Sequence, residues 1–160
     1  MWKVGAVDIE ILSVDRLRFS DGSPVRSASA VVAFGDGFLV VPDDATHAAW
    51  FREETVTAVR LLPPVDGHEV FDEASGTKHL KPDLEAACQV MVDDAPAALI
   101  MGSGSSPARM RWSLLRFDDG TPRAVMADMT RLYPAVAAAL SVDADVLNME
   151  GVCIVGDALR

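Results

Sequence analysis

The chain has 160 residues, of which 50% are hydrophobic, enough for one ordinary domain with a sizeable core. Its 14 basic and 24 acidic residues give a net charge of −10, which repels phosphate backbones and argues against a nucleic-acid partner. No apolar run approaches the roughly 20 residues that span a bilayer. We therefore expect a cytoplasmic protein with no membrane partner, for which a cationic ligand or a metal ion is electrostatically the easier ligand.

Residues 1–20 read as a leading strand, because apolar and polar residues alternate through Val7, Ile9 and Ile11. A unit at 25–64 follows, with strands predicted at 28–34, 38–41, 48–51 and 56–62. A glycine-rich turn at 35–37 separates the first two of these strands and supplies the positive φ that a hairpin needs. Residues 65–80 have little apolar periodicity and are predicted to form a surface loop.

A second unit at 81–128 repeats this plan, with strands predicted at 85–92, 97–101, 110–117 and 123–127. An alanine-rich stretch near 131–140 predicts one short helix. A third unit begins at 147–160, with a strand predicted at 149–155 and the start of another after the turn at Gly156.

The units share a short motif, which aligns Ser29, Glu85 and Glu150 at steps of 56 and 65 residues. Four short strands per unit are typical of a β-propeller blade. A β-sandwich or open barrel is the competing all-β interpretation, but it gives no reason for the match. The whole chain is then a single, incomplete propeller domain with about two and a half of about six blades. The leading strand would close the ring.

Four motifs together resemble a bacterial family of β-propellers classed as a domain of unknown function. They are Ser-Ala-Ser-Ala at 27–30, Lys-Pro-Asp-Leu-Glu-Ala at 81–86, Gly-Ser-Gly-Ser-Ser-Pro-Ala-Arg at 102–109 and Leu-Asn-Met-Glu-Gly at 147–151. That family is similar in plan to the phytase-like esterase and gluconolactonase-like propellers. The resemblance implies a propeller of which this chain is the N-terminal half, and it implies no particular activity.

Glu85 and Glu150 are the leading candidate site residues. The first strand of each blade lines the propeller channel, so two carboxylates from neighbouring blades are expected to converge at the channel mouth. With oxygens from Asp83, Asn148 and Ser29 they would suit Ca²⁺ or Mg²⁺. Without a metal, each carboxylate would raise the pKa of the other and give an acid/base pair. The alternative is that each Glu only accepts backbone N–H bonds that fix the blades.

A second group of candidates is expected to bind an anion or polar ligand. Ser103 and Ser105 lie in a glycine-rich turn whose backbone N–H groups suit an anion. Arg109 and Arg26 would neutralise either such an anion or a glutamate. The pair at 43–44, Asp-Asp, ends a strand where the second unit has Gly-Ser, and it is a further candidate for a metal site, although a solvated turn is the more ordinary role.

Three functions remain open from the sequence. The first is a protein that binds a metal ion or small polar ligand at the channel mouth. The second is a metal-dependent hydrolase of an ester, lactone or phosphate, and the third is a non-catalytic scaffold. Unpaired strands at the edges of an incomplete ring also predict self-association.

Overall fold

The structure is a computed structural model that describes residues 9–160. Two four-stranded antiparallel sheets, each a simple meander, make up most of it. The strands of sheet 1 are β1 (Ala28–Phe34), β2 (Gly37–Pro42), β3 (His47–Arg52) and β4 (Thr55–Arg60). Those of sheet 2 are β5 (Leu84–Val92), β6 (Ala95–Gly102), β7 (Arg111–Asp118) and β8 (Thr121–Asp128).

The remaining elements are short. Helix α1 (Leu132–Leu140) follows sheet 2, and a two-stranded hairpin ends the chain with β9 (Ile154–Val155) and β10 (Ala158–Leu159). Two 3-10 turns, Lys78–Leu80 and Pro107–Arg109, lie in the connections. The mostly β fold, the two four-stranded sheets and the helix near 131–140 are confirmed. Across residues 9–160 neither sheet closes on itself, so the propeller ring itself is not established.

One hydrophobic core joins the two sheets. Sheet 1 contributes Val32, Leu39 and Trp50, and sheet 2 contributes Ile100 and Leu115, all buried in a single cluster. The facing sheets therefore behave as one folding unit, since neither covers this apolar face alone.

An aromatic stack closes one end of this core. Phe117 lies 4.5 Å from Phe34, ring centroid to centroid, and nearly parallel to it. The turn residue Gly35 passes beneath this stack, where a Cβ would approach the Phe117 ring to 2.8 Å. The glycine is thus required both by its positive φ of 59° and by the close approach.

The repeat predicted from the sequence has a backbone counterpart. In β1 the pairing with β2 shifts register between Ala28 and Ala30, so that Ser29 is an extra, bulged residue. In β5 the pairing with β6 shifts in the same way between Leu84 and Ala86, so that Glu85 is bulged. Matching bulges at the same place in both sheets support the alignment of Ser29 with Glu85.

Two parts of the chain differ from the predicted strands. The predicted strand at 149–155 is only Ile154–Val155, with just β10 as its partner in the part of the chain described. Of the predicted leading strand, residues 9–16 form no strand, and their apolar side chains, such as Ile9 and Leu12, stay exposed. Residues 1–8 lie outside the described residues.

The segment at 17–25 covers part of the other face of sheet 1. Leu17, Phe19 and Val25 pack on a second buried cluster that contains Val40 and Val56. Nowhere in residues 9–160 is a helix long and apolar enough to cross a membrane. The cytoplasmic location stays a prediction.

Candidate functional site

The candidate site lies where β2 and β6 end and β5 begins. A relay of backbone hydrogen bonds connects these points: Asp43 donates its N–H to the Ser27 carbonyl, Asp83 to Asp43, Ser103 to Asp83, and Met149 to Ser103. Each N···O distance is between 2.8 and 3.0 Å. The relay runs from sheet 1 through sheet 2 to the segment before β9, and it fixes the side chains of this rim.

Asp83 is the centre of the rim. Its backbone takes a left-handed conformation with a φ of 57°, as does Ser27 at the same place in sheet 1 with a φ of 47°. Aspartate and serine tolerate this region better than β-branched residues do. The left-handed turn directly before the strand directs the buried Asp83 carboxylate toward the β6–β7 connection.

Four side chains of the chain itself bind the Asp83 carboxylate. Ser103 donates its hydroxyl to Oδ2 over 2.6 Å, and Ser105 donates to the same oxygen over 3.3 Å. Arg109 lies 3.1 Å from Oδ2 and also donates to Ser105 over 2.9 Å. The Lys81 ammonium lies 2.5 Å from Oδ1. A buried carboxylate so thoroughly bound stays ionised.

Lys81 bridges the two halves of the rim. Its ammonium pairs with Asp43 as well as with Asp83, and only 17% of its side chain is exposed. Burial by itself lowers the Lys81 pKa, but hydrogen bonds to Asp43 and Asp83 outweigh burial and raise it. At Asp83 burial raises the pKa, yet the hydrogen bonds from Lys81 and Ser103 and the nearby cations bring it below 3.8.

Glu85 is the carboxylate that this network leaves with least support. Burial raises the Glu85 pKa above 4.5, and the charges of Asp83, Asp43 and Glu150 raise it further. Hydrogen bonding from Ser29 is the one contribution that lowers it. The pKa values of the neighbouring Asp83 and Glu85 carboxyls are therefore shifted in opposite directions, because the two cations of the rim contact Asp83 and not Glu85.

Glu150 comes near this cluster from the third unit, and the Asn148 side chain donates a hydrogen bond to it. The backbone relay, however, places Met149 where Asp83 stands, so Glu150 comes one residue earlier in its unit than Glu85 does in the second. The sequence alignment of Glu85 with Glu150 is thus displaced by one residue. The Glu150 charge adds to the rise in the Glu85 pKa, and the shared space of the two glutamates stays a prediction.

The other predicted ligand residues have partners within the chain. Arg26 lies 3.3 Å from Asp44 and 3.6 Å from Asp72, away from Asp83. Ser103 and Ser105 use their hydroxyls on Asp83. Their role toward an added ligand, like that of Arg26, stays a prediction.

The arrangement suits a cation better than an anion. Asp43, Asp83 and Glu85 each present an oxygen within 4.8 Å of the other two, a spacing that permits shared coordination. Lys81 already bridges Asp43 and Asp83, so an ion held by all three carboxylates would have to displace the ammonium. Counting Glu150, four carboxylates face two cations, a formal surplus of two negative charges.

Two residues of the rim have larger roles than the sequence predicts for them. The sequence favours a turn role for Asp43, although this residue occupies the place in sheet 1 that Ser103 occupies in sheet 2, and the repeat itself carried that signal. For Lys81 the sequence indicates only membership of a shared motif. This lysine stands two residues before Asp83, so a Lys-x-Asp spacing at the start of a strand was the available signal.

Comparison with known proteins gives one match. A family model described as a family of unknown function (DUF6929) matches residues 24–160. No curated protein and no solved structure matches the chain.

Proposed function

This chain belongs to the family of unknown function DUF6929, and from its own residues we propose that it is a blade-built binding protein that takes a divalent metal ion at Glu85. A small polar ligand that carries a positive charge would use the same surplus of carboxylates. The ion would sit between Glu85 and Asp43, with Glu150 approaching from the third unit.

The state of Glu85 supports this proposal above all else. A half-buried carboxylate beside three others, with a raised pKa and a serine as its hydrogen-bond donor, is held at a cost to the fold. A bound cation would remove that cost, because it would offset both the burial and the repulsion. Asp83 supports the proposal by contrast, since it is already neutralised and serves to hold the rim.

Calcium suits the available donors better than magnesium. The donors near Glu85 are mixed, namely carboxylates of Asp43 and Glu150 and the hydroxyl of Ser29, and the Asn148 amide, which bonds to Glu150, would add an oxygen. Calcium accepts irregular sets of six to eight oxygens, whereas magnesium requires a near-ideal octahedron.

The plan of the fold supports a blade interpretation. The two four-stranded meanders have matched bulges, and β1 and β5 start at the same rim. In a propeller such a rim is the mouth of the central channel, where ligands meet residues from several blades. The propeller ring, and a kinship with phytase-like esterase and gluconolactonase-like propellers, belong to this proposal.

Calorimetric titration with Ca²⁺ and Mg²⁺ tests the metal site. We expect the unaltered protein to bind Ca²⁺ more tightly than Mg²⁺, and at an excess of about 100 times Kd the ion should add about 2.7 kcal/mol to the free energy of unfolding. Glu85→Gln should abolish this binding, because it removes the ligand charge while keeping the side-chain shape.

Asp119→Asn is the matched control. Asp119 lies in the β7–β8 turn, at the far end of the strands, with a φ of 47° that asparagine also tolerates. The control should bind Ca²⁺ as the unaltered protein does. Equal loss of binding in both variants, or no Ca²⁺ binding in the unaltered protein, would contradict the metal site.

Hydrolysis is the second candidate function, and one observation favours it. Adjacent carboxylates with a lowered pKa at Asp83 and a raised pKa at Glu85 are separated in the way that acid and base roles require. Chromogenic carboxylic, lactone and phosphate esters, assayed with and without Ca²⁺, test this. Turnover lost in Glu85→Gln and kept in Asp119→Asn would support it, whereas Ca²⁺ binding without turnover would leave a binding protein. A scaffold would show neither.

A further inference from the structure

The internal repeat relates a row of buried apolar residues in sheet 1 to a row in sheet 2. In sheet 1, cross-strand pairing aligns Val32, Leu39 and Trp50 in one row, and all three are buried against sheet 2. The bulge alignment makes Val32 equivalent to Cys88, which begins the same row in sheet 2.

That second row is poorly covered. It runs from Cys88 through Leu99 and Leu114 to Val125, and it lies on the face of sheet 2 that points away from sheet 1. Its first three residues are only half-buried, and Val125 is 59% exposed. The β9–β10 hairpin, which follows the relay onto this side, is also apolar and open, with Ile154 45% and Val155 60% exposed.

At the opposite end of the molecule, sheet 1 has exposed apolar residues on the face that points away from sheet 2. In sheet 2 the residues Ala87 and Ile100 face sheet 1, and the repeat makes them equivalent to Val31 and Val40 of sheet 1. Val40 is buried beneath the 17–25 segment. Val31 is 63% exposed, and its neighbour Phe38 in the same sheet is 53% exposed.

We propose that a second copy of this chain covers these surfaces, through a head-to-tail contact. We define the C-terminal face as Leu114, Val125, Ile154 and Val155, and the N-terminal face as Val31 and Phe38. The C-terminal face of one copy would lie against the N-terminal face of the other. The occupant is a second copy because the contact continues the interface that already joins sheet 1 to sheet 2. Within residues 9–160, the face of sheet 1 that is equivalent to the uncovered face of sheet 2 is already buried against sheet 2.

This contact joins two different surfaces, so two copies arranged about a twofold axis make it twice and close a ring. It is independent of the metal site, which lies on the rim rather than on these faces. Apolar patches of this kind on both ends of a repeat-built molecule are a common origin of association.

Sedimentation velocity over a wide concentration range tests the contact. We expect the unaltered chain to form dimers. Phe38→Lys, on the N-terminal face, and Val125→Lys, on the C-terminal face, should each weaken dimerisation by about 100-fold, since each buries a charge in an apolar contact. Both residues are exposed in the single chain, so the variants should keep its circular dichroism spectrum.

Mixing the two variants distinguishes a head-to-tail contact from any other. Phe38→Lys retains a sound C-terminal face and Val125→Lys a sound N-terminal face, so the mixture should regain dimers through one of the two contacts. Leu140→Lys is the matched control, because Leu140 is 62% exposed on α1, outside both faces, and this variant should dimerise normally. A monomeric unaltered chain, or no recovery on mixing, would overturn the proposal.

Discussion

At the scale of single residues, Asp83 and Glu85 have opposite roles although they are only two positions apart. Asp83 is buried and bound by Lys81, Arg109 and two serines, which makes it a fixed joint of the rim. Glu85 is the bulged residue at the start of the same strand, and burial and the neighbouring carboxylates disfavour its charge. A carboxylate with a raised pKa and few partners is a candidate for ligand binding, whereas one bound on all sides contributes to stability.

We expect Asp83→Asn to lower the free energy of unfolding by about 3 kcal/mol, because it leaves the half-buried Arg109 without its charge partner and Lys81 with Asp43 alone. Asparagine accepts the left-handed φ of 57°, so the variant tests the charge and not the turn. Urea denaturation at neutral pH measures the effect. A loss no larger than that of the exposed control Asp119→Asn would mean that the Asp83 network contributes little.

The stability that the Asp83 network provides should depend on acidic pH. The Asp83 pKa lies below 3.8 in the folded protein, so the stability that its charge provides is present above pH 3.8 and is lost as the pH falls through the lower, folded value. The difference in unfolding free energy between the unaltered protein and Asp83→Asn should therefore close in that acidic window. A difference that persists at the lowest pH would point to lost hydrogen-bond geometry instead.

Glu85→Gln should raise the melting temperature by a few degrees at pH 7 in the absence of metal. The Glu85 pKa is raised above 4.5, so its protonated form favours folding, and that advantage is lost as the pH rises through the folded value. The gain should vanish below pH 4.5. A clearly lower melting temperature at pH 7 would assign Glu85 to the scaffold role.

Part of this site followed from the sequence. The alignment of Ser29 with Glu85 rested on a short repeated motif, and the matched bulges agree with it. The bridge from Lys81 to Asp43 did not follow, because the two residues are 38 positions apart and meet only when sheet 2 packs beside sheet 1. Contacts between repeats depend on their relative placement, which a motif within one repeat does not specify.

At the scale of elements, the buried Tyr133 attaches helix α1 to sheet 2. The Tyr133 hydroxyl donates to the Gly102 carbonyl over 2.5 Å and accepts from the Trp112 ring N–H over 2.9 Å. The ring lies against Gly104, where a Cβ would come within 2.0 Å of the Tyr133 ring. Through Tyr133 the helix therefore packs against the β6–β7 connection, which positions Ser103.

Gly104→Ala should destabilise the protein by about 3 kcal/mol, from the clash with Tyr133 together with backbone strain at a φ of 77°. Gly120→Ala is the matched control, because Gly120 has a φ of 74° but no atom within 4 Å of the place that a Cβ would occupy. It should cost only the strain, about 1 kcal/mol. Equal losses in chemical denaturation would mean that α1 moves aside freely.

The strands of both sheets followed from alternation and turn residues, and α1 followed from its alanine-rich sequence. The third unit did not follow, because an apolar stretch such as that at 149–155 becomes a strand only over the length for which a partner strand exists. The alternation at 9–14 gave the same false signal. Periodicity reports which residues are fit for a sheet, while pairing decides which of them enter one.

At the scale of the whole molecule, the two sheets are held in three ways. They share the hydrophobic core, they are joined by a hydrogen bond from the Ser113 hydroxyl to the Leu61 carbonyl over 2.8 Å, and they meet at the rim through Lys81. The sequence predicted two similar units but not how closely they join, since the core residues that join them look like any other apolar strand residues.

The backbone relay along the rim has a consequence for how this architecture diversifies. Its donors and acceptors are peptide groups, so the joint between one repeat and the next survives whichever side chains stand there. Sheet 1 has Ser27 and Asp43 at two positions where sheet 2 has Asp83 and Ser103, and the hydrogen bonds are the same. Each repeat can therefore carry an acid or an alcohol at these positions without losing the joint, so the side chains of one joint can differ in charge from those of its twin.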